Sequence, residues 1–256
     1  VAKSEKSKTA YQTLRSLWDA GLRPPSQHCV PEPIAYLPER SLLLQERAAG
    51  TQLFQKIKSH TATAADAVRA AEWVLALQEL RFPGLQPGSI GDFERTRNEL
   101  SLALPGLTRR LRPLAKFIEA HLEPDTPGVP SHGDYHPMNL FMSEQRVMAI
   151  DIDTFAAREP MFDVGYFVAQ TAIMGFHEFQ SFAPTEDFRA AFLETIVTQA
   201  PARSRKDRVR VHVSFAFLRS LHFDFCILRT NPHRMVDPFL SAAERALSEA
   251  NIRLAA

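Results

Sequence analysis

Residues 131–153 read SHGDYHPMNLFMSEQRVMAIDID. They hold an aspartate, Asp134, an asparagine, Asn139, and beyond a short apolar stretch a second aspartate, Asp151. Phosphoryl transfer from a nucleotide uses that set of groups. One carboxylate orients the attacking hydroxyl, while an amide and a second carboxylate hold Mg²⁺ on the phosphates.

The elements that position these groups can be read around them. Leu140–Met142 and Val147–Ile150 are apolar runs joined by the polar Ser143–Arg146, which predicts a β-hairpin. With Met142 opposite Val147, Asn139 lies opposite Ile150 and beside Asp151. Few, hard oxygen donors of this kind suit Mg²⁺, which keeps its waters and takes other ligands from phosphates. Asp153 falls two residues on; in an extended strand it would point to the same side as Asp151, as a further ligand or as a solvated neighbour. Asp134 sits in the loop before the hairpin, where it can accept a hydrogen bond from a substrate hydroxyl. Taken singly, Asp134 and Asn139 are ordinary turn residues. Jointly with Asp151 they specify a chemistry. His132 and His136 flank Asp134 as H-x-D-x-H, a cluster that a metal-dependent hydrolase also uses. Gly133 and Pro137 argue for a loop rather than the strand that would align all three.

Further out, residues 8–21 are expected to be helical, with Ala10, Leu14, Leu17 and Trp18 on one face. Residues 22–33 are a proline-broken connector. Short strands are expected at 34–37 and 41–45, and Ala48-Ala49-Gly50 is a crossover loop. Helices follow over 63–80, 93–103 and 106–122, and again after Asp163, with breaks near Pro184, Pro201, Pro232 and Pro238. Residues 209–217 alternate as a strand would, but helical spacing extends through Leu228, which predicts a helix. His177, His212, His222 and His233 have no partner at ligand spacing.

The 256 residues carry 45% hydrophobic and 23% charged side chains, a profile with a sizeable core. A formal net charge of +1, with no basic stripe interleaved with aromatics, argues against nucleic acid or an anionic membrane as partner. No apolar run reaches the roughly 18 residues of a membrane helix. Cys29 and Cys226 fit no metal spacing and are expected as buried free thiols in a reducing, cytoplasmic setting.

The block resembles the aminoglycoside phosphotransferase and choline kinase-like family, distant relatives of the protein kinases. His132 to Asn139 is similar to that family's catalytic loop, Ile150 to Asp153 to its metal-binding strand, and Pro160 to Gly165 to the segment where an aspartate opens the next helix. The resemblance implies an α+β, protein-kinase-like two-lobed fold. A truncated small lobe with its hinge would occupy residues 1–47, and a mostly helical lobe residues 48–256. It implies Asp134 as catalytic base, Asn139 and Asp151 as Mg²⁺ ligands with Asp153 as a further candidate, and Asp163 and His132 as structural support. Val1-Ala2-Lys3 is similar to the end of the strand whose lysine contacts the α- and β-phosphates, although the first helix offers no glutamate near Ala10. The nucleotide-covering loop is expected upstream of Val1. Leu42 to Gly50 resembles the hinge, where the backbone of Glu46, Arg47 and Ala48 would bind adenine; a core strand followed by a turn is the alternative. Gly133 stands where many protein kinases carry the arginine that pairs with an activation-loop phosphate, and no A-P-E-type segment follows Asp151. Both points favour a small-molecule acceptor. Residues 160–256 hold ten Asp/Glu and eleven Lys/Arg, so no acidic bias favours a polycationic acceptor. The implied activity is Mg²⁺-dependent transfer of the γ-phosphoryl group of ATP or GTP to a small-molecule hydroxyl. The alternative is a catalytically silent nucleotide- or ligand-binding protein on the same fold.

Overall fold

The computed structural model describes residues 5–89, 93–121, 128–201, 206–229 and 233–248. Helix α1 (Glu5–Asp19) buries Ala10, Leu14 and Leu17 along one face, as their spacing predicts. Lys3 lies outside the described residues. The proline-broken connector also carries a strand, β1 (His28–Cys29), too short to show periodicity in the sequence. Strands β2 (Pro33–Leu37) and β3 (Leu42–Gln45) pair antiparallel around a single turn at Pro38–Arg40 and pack on α1.

The crossover then runs onto the hairpin that follows residue 139. Gly50 has φ +100°, and a Cβ there would collide with the Met142 carbonyl, so only glycine lets the chain lie this close. Strand β4 (Thr51–Gln52) and helix α2 (Leu53–Lys58) follow directly. Helix α3 (Ala64–Glu79) starts at Thr63, whose hydroxyl accepts from the Asp66 N–H while Asp66 accepts from the Thr63 N–H. This reciprocal cap fixes the helix start. Lys56 Nζ pairs with Asp66 at 2.6 Å and ties α2 to the same point. Trp73 of α3 is fully buried, and its indole N–H donates to the Cys29 carbonyl at 3.0 Å.

Helices α4 (Phe93–Ala103) and α5 (Thr108–Ala120) lead to strand β5 (Val129–Ser131). The hairpin strands are β6 (Leu140–Met142) and β7 (Val147–Ala149), with Met142 opposite Val147 as the apolar pattern predicts. The sheet order is β1-β7-β6-β4, with β1 parallel to β7. Strand β8 (Ala156–Arg158) pairs antiparallel with β5. Helices α6 (Met161–Phe179), α7 (Glu186–Gln199), α8 (Lys206–His222) and α9 (His233–Ser248) complete the chain.

The alternation over 209–217 is explained by burial. Val209, Val211, Val213 and Phe215 to Leu218 are all buried, so α8 is apolar on nearly every side. The break expected at Pro238 does not occur. That proline sits inside α9, where buried Phe239, Leu240 and Ala243 keep the helix packed despite one lost hydrogen bond. Pro232 lies outside the described residues. Behind the site, buried Glu159 pairs with both Arg208 and His212 of α8, which binds the segment before α6 to the helical core. Within the described residues no helix is long and apolar enough to cross a membrane.

Candidate active site

The loop before the hairpin is held from below by one carboxylate. Asp163, fully buried in the first turn of α6, accepts three hydrogen bonds. Its Oδ2 takes the Ser131 hydroxyl at 3.0 Å and the His132 N–H at 2.7 Å, and its Oδ1 takes the Gly133 N–H at 2.9 Å. Bonds to a charged acceptor are the stronger kind, and three of them fix the backbone path. Gly133 has φ +85°, and an added Cβ would stand 2.6 Å from the Thr154 carbonyl oxygen and from Arg158 Nη1. No other residue fits this position without displacing the loop.

His132 is fully buried. Its Nδ1 accepts the Asp134 N–H at 3.3 Å, and its Nε2 lies 2.9 Å from the Ile150 carbonyl. An acceptor at Nδ1 and a carbonyl at Nε2 require the neutral ring with its proton on Nε2. Burial pushes its pKa below 6.5, consistent with that form. Tyr135 is also fully buried, stacked on Trp73 at 5.2 Å, and its hydroxyl donates to the Ala70 carbonyl at 2.7 Å. The residues on either side of Asp134 are therefore anchored in the core, and the Asp134 carboxylate is turned outward.

The Asp134 side chain is 35% exposed. Its Oδ1 accepts the Tyr166 hydroxyl at 2.8 Å, and its Oδ2 lies 3.4 Å from both His136 Nε2 and Asn139 Nδ2. Burial alone would raise this carboxyl. The His136 hydrogen bond and charge, with the Tyr166 hydroxyl, outweigh it and bring it down to about 2. Tyr166 is pushed the other way, by burial and then by the Asp134 charge, so its hydroxyl stays a donor.

Asn139 ends the single helical turn Pro137–Asn139, which returns its amide to the loop. Its Nδ2 donates to the Asp134 carbonyl at 3.0 Å. The ladder extends one step past the strands, with the Ile150 N–H donating to the Asn139 carbonyl at 2.9 Å. Asn139 therefore lies opposite Ile150, next to Asp151 in the chain, at the open end of the hairpin, as the register predicts. The expectation that Asp151 and Asp153 share an extended strand is not met. Asp151 has φ +61°, in the left-handed region, and the chain turns after it. Both aspartates are exposed and flank Ile152, which is buried. Among the described residues, the Asn139 NH₂ makes the loop contacts and its side-chain oxygen accepts no hydrogen bond. An amide oxygen and an exposed carboxylate at the same end of a hairpin are donor types that fit Mg²⁺.

Among the hinge positions, Glu46 and Ala48 are half-buried and Arg47 is exposed. The Glu46 N–H donates to the Glu32 carbonyl at 2.9 Å. A depression of about 330 Å³ lies between Ala49 and the hairpin turn Ser143–Arg146. Just downstream, the Gln52 side chain donates to the Met138 carbonyl at 2.7 Å and joins the crossover to the loop before the hairpin.

Several site residues escape sequence reasoning. Tyr166 lies one helical turn after Asp163, and that spacing on α6 is the signal that finds it. Thr154, whose hydroxyl donates to the His132 carbonyl at 2.9 Å, carries no such signal. Arg158, 8% exposed, gives two of its donors to the Ser89 and Thr154 carbonyls and covers the Phe162 ring at 5.0 Å. Two histidines without sequence partners have spatial ones. His212 pairs with Glu159, and His222 with Glu99 at 2.6 Å, near Cys226. Cys29 is buried as expected, whereas Cys226 is only half-buried.

Comparison with known proteins gives a consistent picture. Residues 3–206 match the model of the phosphotransferase enzyme family. No curated protein sequence matches the chain significantly. Among solved structures, the chain is similar to a choline/ethanolamine kinase family protein from Mesorhizobium loti, with a TM-score of 0.66 at 14% identity over 95% of this chain and 80% of that one. It is similar to a choline kinase from Cryptosporidium parvum Iowa II, with a TM-score of 0.61 at 15% identity over 93% and 78%. A glucosamine kinase gives 0.59 at 18% identity over 92% and 69%. These likenesses show the kinase-like α+β fold.

Proposed function

The chain belongs to the phosphotransferase enzyme family, and from that premise we propose that it moves the γ-phosphoryl group of ATP or GTP to a hydroxyl of a small molecule. One observation carries the reading. A half-buried, ionised Asp134 is held outward by Tyr166 and its anchored neighbours, at the hairpin end that carries Asn139 and, one residue past its partner Ile150, Asp151. In this scheme Asp134 accepts a hydrogen bond from the acceptor hydroxyl and lines its oxygen up with phosphorus. The bond from the γ-phosphorus to the bridging oxygen breaks as the new ester bond forms, the nucleoside diphosphate leaves, and the hydroxyl proton passes to Asp134 and then to water. A carboxyl held near 2 is a weak base. Its main contribution is therefore orientation, with the proton lost late, as phosphoryl transfer permits.

Asn139 and Asp151 would hold Mg²⁺, with Asp153 as a further candidate ligand. The ion would neutralise the phosphate oxygens and bridge them to the protein. Asp163 and His132 act on the loop, not on substrate. The backbone of Glu46, Arg47 and Ala48 is assigned to the nucleotide base, and Lys3 to the α- and β-phosphates. Residues 1–47 would then be the nucleotide-side lobe and hinge, and residues 48–256 the catalytic lobe. The acceptor side lies towards α6 and α8.

The test is release of nucleoside diphosphate and transfer of the phosphoryl group to a panel of aminoglycosides, sugars and amino alcohols. Asp134→Asn keeps the shape of the side chain and removes its charge. It is expected to lower kcat by roughly a hundred- to ten-thousandfold. Turnover unchanged in this variant would remove the mechanism.

A further inference from the structure

On the acceptor side of Asp134, the rings of Phe162 and Tyr166 lie stacked, nearly parallel at 6°, with centroids 6.2 Å apart. Each is covered by a guanidinium. Arg158 stands over Phe162 at 5.0 Å, and Arg219 of α8 stands over Tyr166 at 5.6 Å and beside Phe215 at 5.9 Å. The two arginines differ in one respect. Arg158 donates to the Ser89 and Thr154 carbonyls. Half-buried Arg219 has no hydrogen bond or ion pair among the described residues.

Three carboxylates around the aromatic pair are engaged. Asp163 holds the loop, Glu159 pairs with Arg208 and His212, and Asp134 takes Tyr166, His136 and Asn139. Of these only Asp134 is partly exposed, and the proposed reaction assigns it to the acceptor hydroxyl. Arg219 lies over the Tyr166 and Phe215 rings, and none of its N–H groups donates to a partner among the described residues. Those groups form the fork that fits a carboxylate or a phosphate ester with two parallel hydrogen bonds. Tyr166 touches both Arg219 and Asp134, so an anion on the fork brings a neighbouring hydroxyl towards the catalytic carboxylate.

Resting on the phosphotransferase reading, we propose that the acceptor carries an anionic group near its reacting hydroxyl, and that Arg219 binds that group. A like charge about 6 Å from a guanidinium, at the dielectric of a protein surface, weakens binding by on the order of a hundredfold, and an opposite charge favours it by a similar factor. Cationic acceptors are therefore discriminated against, and hydroxy acids and phosphate esters of polyols are selected.

The experiment uses the complete chain with ATP and Mg²⁺. Glycerate, gluconate and glycerol 3-phosphate are compared with neutral glycerol and with ethanolamine, choline and glucosamine, by nucleoside diphosphate release and by saturation-transfer binding in the presence of ADP. Anions are expected to lead, and the two anion types show which group the fork takes. Arg219→Gln should raise KM for the anionic acceptor by roughly ten- to a hundredfold, the effect falling on the acceptor and not on the nucleotide. Arg219→Glu should invert the charge order. Preferred use of cations, an unchanged order in Arg219→Glu, a rise confined to the KM for ATP, or no anion bound at millimolar concentration each overturns the proposal. Turnover of cations alone overturns it while keeping the parent reading. Asp134-independent turnover across the whole panel overturns the parent reading instead.

Discussion

The two ends of the β6–β7 hairpin lie side by side and are held in different ways. The segment leading in, Ser131–Asn139, has its backbone bonded to buried Asp163, its His132 and Tyr135 rings in the core, and its Asn139 amide bonded back to the loop. The segment leading out, Asp151–Asp153, exposes both carboxylates and bends through a left-handed residue. The proposed roles of the two segments would account for the difference. A carboxylate that orients a hydroxyl has to be fixed by the protein itself. A carboxylate whose geometry an ion and its waters complete would need less support from the protein.

A paired substitution gives the largest expected contrast. Asp163→Ala strands three donors at positions 131–133, most of them buried, and is expected to cost on the order of 3 kcal/mol or more of stability. Asp151→Asn should leave stability within about 0.5 kcal/mol while removing most activity and raising the Mg²⁺ requirement. Denaturant midpoints and kinetics on both proteins check this. Equal stability losses would mean that the two segments are held alike. Gly133→Ala comes next. Its new Cβ meets Thr154 and Arg158 at a positive φ, so a loss of about 1–3 kcal/mol is expected, with the melting temperature as readout. Tyr166→Phe is smaller. It removes one hydrogen bond from Asp134 and is expected to lower kcat about tenfold, with little change in the KM for nucleotide.

The leading-in segment was also the more legible one in the sequence. Apolar runs bracketing a polar turn fix the register that puts Asn139 beside Asp151, because a one-residue slip would expose Leu140 and Val147. The long helices follow from periodicity. The support around the loop was not legible. Thr154, Arg158 and Arg219 reach the site through contacts that join distant parts of the chain, and nothing in their local sequence marks them. Strand β1 lasts two residues between prolines, below the length at which alternation is visible. Pro238 reads as a breaker, yet packing overrides it. The turn at Asp151 has no glycine to announce it, so an extended strand was the natural expectation.

The smallest effect concerns pH, and it separates two groups of the leading-in segment. Burial holds His132 neutral, with its pKa below the free value of 6.5. An unfolded chain takes up that proton first as pH falls, so the stability tied to His132 is complete above 6.5 and declines below it. Asp134 behaves differently in range. Its carboxyl is depressed from 3.8 to about 2, so its contribution is complete above 3.8 and is lost only towards 2. Between pH 7 and 6 the His132 effect is under about 1 kcal/mol. His132→Gln should therefore flatten the decline in melting temperature just below neutrality and leave the collapse below pH 4 in place. A slope identical to that of the unaltered protein would mean that His132 is protonated in the folded state. The neutral ring that receives the Asp134 N–H would then not exist, and the anchoring that distinguishes the two ends of the hairpin would have to come from Asp163 alone.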